Sequence, residues 1–204
     1  GLDYMNFYTN VSRYGNMLLY RGYENGKKIS KRIKFKPTLF VSTPKGNWKT
    51  LDGRPCAPIQ FDSMRDAKEW ISNNKDTAGR QIYGNDRYIS QFINEQFPGQ
   101  IEFNRNLINV TSIDIEVQSD DGFPEPDLAN NPITAITIKN NIDNTYYVWG
   151  LGEYNAEQSY MTTNRVVYVK CESELQLLHS FISHWATPSH TPDIITGWNT
   201  MFFD

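Results

Sequence analysis

The segment of residues 111–117 alternates polar and apolar side chains, and this pattern constrains the fold more than any other feature of the chain. Successive side chains of a β-strand point to opposite faces, so the apolar members of the segment are predicted to pack into a core. Asp114 and Glu116 then project together from the opposite face. The pattern therefore predicts a half-buried strand that carries two neighbouring carboxylates.

Two carboxylates this close repel each other unless a cation or a proton lies between them. Carboxylate oxygens are also the ligands that hard divalent cations prefer. Asp114 and Glu116 are therefore candidate metal ligands. The alternative, from these residues alone, is an amphipathic strand whose acidic face is only solvated.

Further strand-like segments and one helix fill the second half of the chain. Strands are predicted at residues 107–117, 133–138, 146–149, 166–169 and 193–198. The helix begins after Ser173, which forms a capping-box pattern with Gln176. Its apolar face is predicted to consist of Leu175, Leu178, Ile182 and Trp185. Strands followed by a helix and another strand indicate a mixed α/β sheet.

The first half is predicted to be a small, strand-rich α+β domain. Strands are expected at residues 7–13, 17–23 and 29–35, and the pair Asn25-Gly26 is typical of a tight hairpin turn. A helix over residues 63–73 is capped by Ser63 and carries an apolar stripe made of Met64, Ala67, Trp70 and Ile71. Residues 74–87 are polar and are predicted to be a surface segment. We place the domains at residues 1–104 and 105–204.

Composition excludes several classes of protein. Hydrophobic residues make up 39% of the 204 residues, enough for a core, and two cysteines are too few for a disulfide scaffold. No apolar run approaches the ~18 residues of a membrane span, and no secretion signal is visible, so an intracellular soluble protein is expected. Residues 1–104 carry a net charge of +6 and residues 105–204 a net charge of −9. The asymmetry suggests two units with different electrostatic tasks.

A third acidic residue closes an N-x-x-x-F-D pattern formed by Asn199, Phe203 and Asp204. Together with the D-x-E strand, this pattern resembles the 3′–5′ proofreading exonuclease of family B DNA polymerases, where the two patterns form the first and second exonuclease motifs. Segments 37–40, 56–58 and 63–70 resemble the amino-terminal domain of T-even-like bacteriophage replicative polymerases. The third motif, Y-x-x-x-D, and the palm, fingers and thumb do not occur in this sequence. The chain is therefore expected to be an amino-terminal fragment.

The resemblance implies an RNase H-like exonuclease domain that uses two Mg²⁺ ions, or Mn²⁺, to hydrolyse 3′-terminal nucleotides. Asp114 would contact both ions, Glu116 would help to hold the ion that carries the attacking water, and Asp204 would ligate the second ion. Because the family's fourth carboxylate is missing, this chain alone is expected to be nearly inactive as a nuclease. The implied partners are a single-stranded 3′ end, primer–template DNA and the rest of the polymerase chain. The implied location is the cytoplasm of a bacterial host, away from any membrane.

Three aromatic or amide side chains near these motifs are further candidates. Phe123 follows the first motif in an acidic loop and either stacks on the terminal base or anchors the loop. Asn199 is expected to be a turn residue that also lines the cleft. Trp198 ends an apolar strand, and a core position is predicted for it in preference to a substrate contact.

A basic strand face is predicted in the first half, formed by Arg32, Lys34 and Lys36, with Tyr20 and Tyr23 nearby for stacking. This face either contacts single-stranded template or RNA, or is solvated. The family's amino-terminal domain, with its RNA-recognition-like topology, keeps the first alternative open. Two other functions also remain: an independent exonuclease such as an oligoribonuclease, and a non-catalytic nucleic-acid-binding module.

Overall fold

In the computed structural model, which describes residues 6–77, 79–84, 86–120, 122–158, 165–198 and 200, the chain divides into two units. The first unit is Gly1–Asn104 and the second is Arg105–Asp204. Both combine sheets with helices, which confirms the predicted mixture of α and β structure. Each unit has its own cluster of buried apolar side chains.

The first unit begins with an antiparallel three-stranded sheet in the order β1-β2-β3. Its strands are β1 (Phe7–Tyr14), β2 (Met17–Glu24) and β3 (Lys27–Ile33). Asn25 and Gly26 both have positive φ, as the predicted hairpin turn requires. The strand β3 ends two residues before the predicted limit, and the chain then buries Phe35 and Pro37.

A second sheet in this unit, in the order β5-β6-β4-β7, was not predicted. Its strands are β4 (Thr38–Ser42), β5 (Trp48–Lys49), β6 (Pro55–Gln60) and β7 (Ile82–Tyr83). The strand β7 lies within residues 74–87, so the prediction of a mere surface segment there is wrong in part. It pairs with β4, opposite Phe40 and Val41.

Two helices cover the core of the first unit. Helix α1 (Met64–Asn74) has the predicted cap, because the Asp66 amide donates to the Ser63 side chain at 3.1 Å. Its residues Met64 and Ala67 are buried, which confirms the predicted stripe. Helix α2 (Tyr88–Gln96) was not predicted, and it buries Tyr88 and Phe92 in the same core.

The second unit contains a five-stranded sheet in the order β11-β10-β9-β8-β12. Its strands are β8 (Val110–Val117), β9 (Ile133–Asn140), β10 (Thr145–Gly150), β11 (Arg165–Lys170) and β12 (Ile194–Thr196). The strands β8, β9 and β10 are antiparallel, whereas β11 is parallel to β10 and β12 is parallel to β8. The predicted mixed sheet is therefore confirmed.

Helix α3 (Glu174–Ala186) packs against one face of this sheet. Its Ser173 cap is confirmed, since the Gln176 amide donates to Ser173 Oγ and the Glu172 amide donates to Gln176 Oε1. The predicted apolar face is wrong in part: Leu175 and Ile182 are exposed, and the fully buried residue is Leu177. Leu178 and Trp185 do pack against the core. Both cysteines are free and buried, and no helix in the described residues is long and apolar enough to cross a membrane.

Candidate active site

The strand β8 has the two-faced character that its sequence predicts. Ile113 and Ile115 pack against the core under α3, and Thr111 is 1% exposed on the same face. Asp114 and Glu116 are exposed on the other face. The side of the sheet opposite to α3 thus carries the two carboxylates close together.

The neighbouring strand leaves space around these carboxylates. On β9, Thr137 lies opposite Asp114 and Ala135 lies opposite Glu116, and both are small. Among the described residues, neither carboxylate takes part in an ion pair or a hydrogen bond. No described residue therefore compensates the repulsion between the two carboxylates, and this repulsion favours the binding of a cation.

The last strand of the sheet runs beside β8 in the same direction. Ile194, Ile195 and Thr196 pair in parallel with residues 110–112, so both strands run toward the same edge of the sheet. The entry to β12 is fixed by Asn109 and Asp193. The Asn109 amide donates to Asp193 Oδ2 at 2.8 Å, and the Asp193 amide donates to the Asn109 carbonyl at 2.9 Å.

Gly197, directly after β12, passes very close to the backbone of β8. A Cβ atom at this position would lie 2.5 Å from the carbonyl oxygen of Ile113, the residue before Asp114. Only glycine allows the backbone to approach so closely. Gly197, which precedes the second motif by two residues, therefore lies directly beside the first motif.

The remaining residues of the second motif, Asn199, Phe203 and Asp204, lie outside the described residues. Their predicted roles stay predictions. The described residues contain no group of three or more His, Cys, Asp or Glu that could hold a metal ion. The expectation for Trp198 is wrong, because this side chain is 90% exposed at the end of a strand that is itself exposed.

Phe123 lies in the loop that leaves β8, and its side chain is 77% exposed. The loop turns at Gly122, whose φ is +82°, and Ser119 Oγ donates to the Gly122 carbonyl at 2.6 Å. Exposure leaves the ring accessible for stacking. The stacking itself stays a prediction.

The predicted basic face of the first unit is divided by the early end of β3. Arg32 is on the strand, whereas Lys34 and Lys36 are exposed beyond it, and Lys36 Nζ lies 3.7 Å from Asp62 Oδ1. The proposed stacking partners are wrong, since Tyr20 and Tyr23 are 5% and 6% exposed.

The aromatic side chain that does accompany Arg32 is Tyr14. The Arg32 guanidinium carbon lies 4.9 Å from the centroid of the Tyr14 ring, and Tyr14 is 57% exposed. Sequence reasoning missed this pair because its members are far apart in sequence. Hairpin register could have found it, since β1 and β3 both pair with β2.

Two groups in the second unit were also missed. Lys139 lies on the same sheet face as the carboxylates, opposite Ser112. His184 is wedged between the rings of His190 and Tyr147, with centroids at 4.1 and 4.5 Å. Its Nε2 atom is buried and has no hydrogen-bond partner among the described residues. Burial, and to a smaller extent His190, lower the pKa of His184, while Asp143 opposes them.

The geometry of β8 and β12 agrees with what comparison of the sequence with known families finds. A model of the exonuclease domain of family B DNA polymerases matches residues 69–204. The chain belongs to this family, and its folded sheet carries the first motif on β8.

Two curated relatives extend the similarity over nearly the whole chain. The DNA-directed DNA polymerases of Escherichia phage RB69 and of Enterobacteria phage T4 are each 30% identical to this chain over 97% of its length. The chain spans 24% of the length of each relative.

Proposed function

We propose that residues 105–204 belong to the 3′–5′ proofreading exonuclease of a DNA polymerase that replicates phage DNA. The observation that carries this proposal is the position of Asp114 and Glu116 on the open face of β8, just beyond the end of the parallel strand that leads to the second motif. Similarity to phage polymerases over 97% of the chain weighs against an independent exonuclease such as an oligoribonuclease, which would not need residues 1–104.

The donor set fits two Mg²⁺ or Mn²⁺ ions. Asp114 and Glu116 offer only carboxylate oxygens, they are exposed on one face, and no cation of the described residues competes for them. Asp114, Glu116 and Asp204 would hold the ions. When bound, such ions polarise the scissile phosphate and activate a water molecule. The small neighbours Thr137 and Ala135 leave space beside the carboxylates for the substrate.

Phe123 and Asn199 are proposed to position the strand to be cleaved. An exposed aromatic ring beside a metal site can stack on the terminal base, and such stacking contributes ~1–3 kcal/mol per base. Replacement of Phe123 with alanine should therefore weaken the binding of a single-stranded oligonucleotide. Unchanged affinity in a fluorescence titration would remove the stacking role.

The test of the main proposal is digestion of a labelled single-stranded oligonucleotide by a polymerase that contains this chain. Asp114→Ala is expected to slow the Mg²⁺-dependent loss of 3′ nucleotides by on the order of 10³-fold, because metal ligation contributes several kcal/mol. Glu157→Gln, which removes an exposed charge elsewhere in the same unit, should leave the rate unchanged.

Two results would contradict the proposal. If Asp114→Ala digests the oligonucleotide at the wild-type rate, the carboxylate pair is not the active site. If the protein binds the oligonucleotide in a salt-dependent way but neither binding nor digestion responds to metal, the chain is a non-catalytic binding module.

A second function is proposed for residues 1–104, namely contact with single-stranded template or RNA. The supporting observation is the exposed pair of Arg32 and Tyr14, which offers a cation and an aromatic face together. Lys34 and Lys36, exposed beyond the end of β3, would add positive charge to the same unit. The net charge of +6 on these residues favours a polyanionic partner. On this proposal, the two domains at residues 1–104 and 105–204 have separate tasks.

The second proposal is tested by the salt dependence of binding. A phosphate contact to a single strand contributes a slope of about −0.7 to the log–log salt plot, so Arg32→Gln should make the slope shallower by about 0.7. Lys45→Gln removes a lysine that is exposed elsewhere in the unit and should leave the slope unchanged. Matched DNA and RNA oligonucleotides distinguish the two ligands. Equal slopes for Arg32→Gln and the wild type would exclude the contact.

A further inference from the structure

Lys139 shares the carboxylate face of the five-stranded sheet. It lies opposite Ser112, while Thr137 lies opposite Asp114, so Lys139 is a diagonal neighbour of Asp114 across β8 and β9. Diagonal neighbours in a sheet are separated by roughly 7–8 Å. The lysine is therefore near the proposed metal site without being part of it.

Cations are scarce in this acidic unit. Residues 105–204 contain four basic residues, Arg105, Lys139, Arg165 and Lys170, against 13 acidic ones. Lys170 forms an ion pair with Glu153. Arg165 lies opposite Thr145 in the register of β10 and β11, and the Thr145 side chain is buried. Lys139 forms no ion pair with any described residue.

The ammonium group of Lys139 is held away from the carboxylates. Its Nζ atom lies 5.1 Å from the centroid of the Tyr146 ring, which is opposite Lys139 on β10. The ring attracts the cation through its face and leaves the N–H donors available. A lysine that paired with Asp114 would compete with a metal ion, and this position avoids that competition.

We propose that Lys139 binds a phosphate of the single strand next to the scissile one, with Tyr146 positioning its ammonium group. This inference rests on the proposed exonuclease function. Metal ions neutralise charge only at the scissile phosphate, so the adjoining phosphate needs a cation of its own in a unit with a net charge of −9. Neighbouring β-strands lie ~4.8 Å apart. Because Lys139 is on β9 and Tyr146 is opposite it on β10, the pair directs the bound nucleic acid across these two β-strands.

The experiment compares Lys139→Gln with Lys170→Gln in a polymerase that contains this chain. For an oligo(dT) substrate, Lys139→Gln is expected to raise KM about 3- to 10-fold with little change in kcat, and to make the salt dependence of binding shallower by about 0.7. Lys170→Gln removes a positive charge two strands further out, on β11, and should change neither quantity. Tyr146→Phe should behave as the wild type, whereas Tyr146→Leu should raise KM.

Binding is also measured on the Asp114→Ala background, where hydrolysis is expected to be slowed by on the order of 10³-fold. Equal KM and equal salt dependence for Lys139→Gln and the wild type would overturn the inference, as would an equal loss in Lys170→Gln. If the wild type digests no single strand, the exonuclease proposal fails. A shallower salt dependence in Lys139→Gln would then still support the phosphate contact. Thermal melts of each variant identify any loss of folding.

Discussion

The three-stranded sheet of the first unit and the five-stranded sheet of the second are built by the same alternation but present opposite charges. Inward side chains form a core in each, for example Leu18 in one and Ile136 in the other. The outward side chains include Arg32 in the first sheet, and Asp114 and Glu116 in the second. The inward side chains are apolar because they are buried, whereas the outward side chains are available for binding. Inward substitutions should therefore change stability, and outward substitutions should change ligand binding.

The largest expected effect is on stability, from truncation of an inward residue in either unit. Trp149 is 2% exposed and its indole N–H donates to Ser180 Oγ at 3.0 Å, so Trp149→Ala should lower the free energy of unfolding by about 3–5 kcal/mol. Leu18, fully buried in the first unit, should lose about 2–5 kcal/mol on Leu18→Ala. Urea denaturation measures both. The free energy of unfolding of Arg32→Gln should stay within about 0.5 kcal/mol of the wild-type value. A larger loss would contradict the distinction between inward and outward side chains.

A smaller effect is expected from pH, through the inward-facing His184. Its pKa is lowered in the folded protein, so the unfolded chain binds the proton more tightly. The free energy of unfolding should therefore be independent of this histidine above its ordinary pKa of about 6.5. Below that pH it should fall by up to about 1.4 kcal/mol per pH unit. His190, Asp143 and Tyr147 are the titratable groups that contact this histidine or act on its charge.

The measurement is the free energy of unfolding between pH 7.5 and pH 5. His184→Phe should flatten this dependence, because the variant has no proton to take up at that position. The exposed His179, on the same helix, provides the control: His179→Gln should keep the wild-type slope. A wild-type slope in His184→Phe would assign the pH dependence to another group.

The smallest effect is a gain in stability when an outward carboxylate is removed. Without metal, Asp114→Asn relieves its repulsion with Glu116 and should stabilise the protein by a few tenths to about 1 kcal/mol. Added Mg²⁺ should stabilise the wild type but not the variant, because only the wild type retains both carboxylates of β8. Thermal melts with and without Mg²⁺ test this, with Asp127→Asn in a short exposed turn as control. A loss of stability in Asp114→Asn would give this carboxylate a structural role.

Elements with a strong local signal could be predicted from the sequence. The strand β8 follows from strict alternation, and α1 follows from the Ser63 cap and a regular apolar stripe. The hairpin of β2 and β3 follows from its turn residues, Asn25 and Gly26. In these cases the local preference and the tertiary contacts agree, which is why residue patterns were sufficient.

Elements chosen by tertiary packing could not be predicted in the same way. Helix α3 offers more than one apolar stripe, and contact with the sheet decides in favour of Leu177 and Phe181 over Leu175 and Ile182. The strands β5 and β7 have two residues each, too few for any periodic signal. Lys139 and the pair of Arg32 with Tyr14 became visible only through the register of neighbouring strands.

The parallel pairing of β12 with β8 has a consequence for the order of folding during synthesis. Strands β8, β9 and β10 are consecutive in sequence and can pair as they leave the ribosome, whereas 84 residues separate Asn109 from Asp193. Until β12 emerges, β8 is an edge strand with unpaired backbone groups. Charged side chains on an edge strand discourage pairing with other chains. Asp114 and Glu116 would therefore also disfavour pairing of the nascent β8 with other chains.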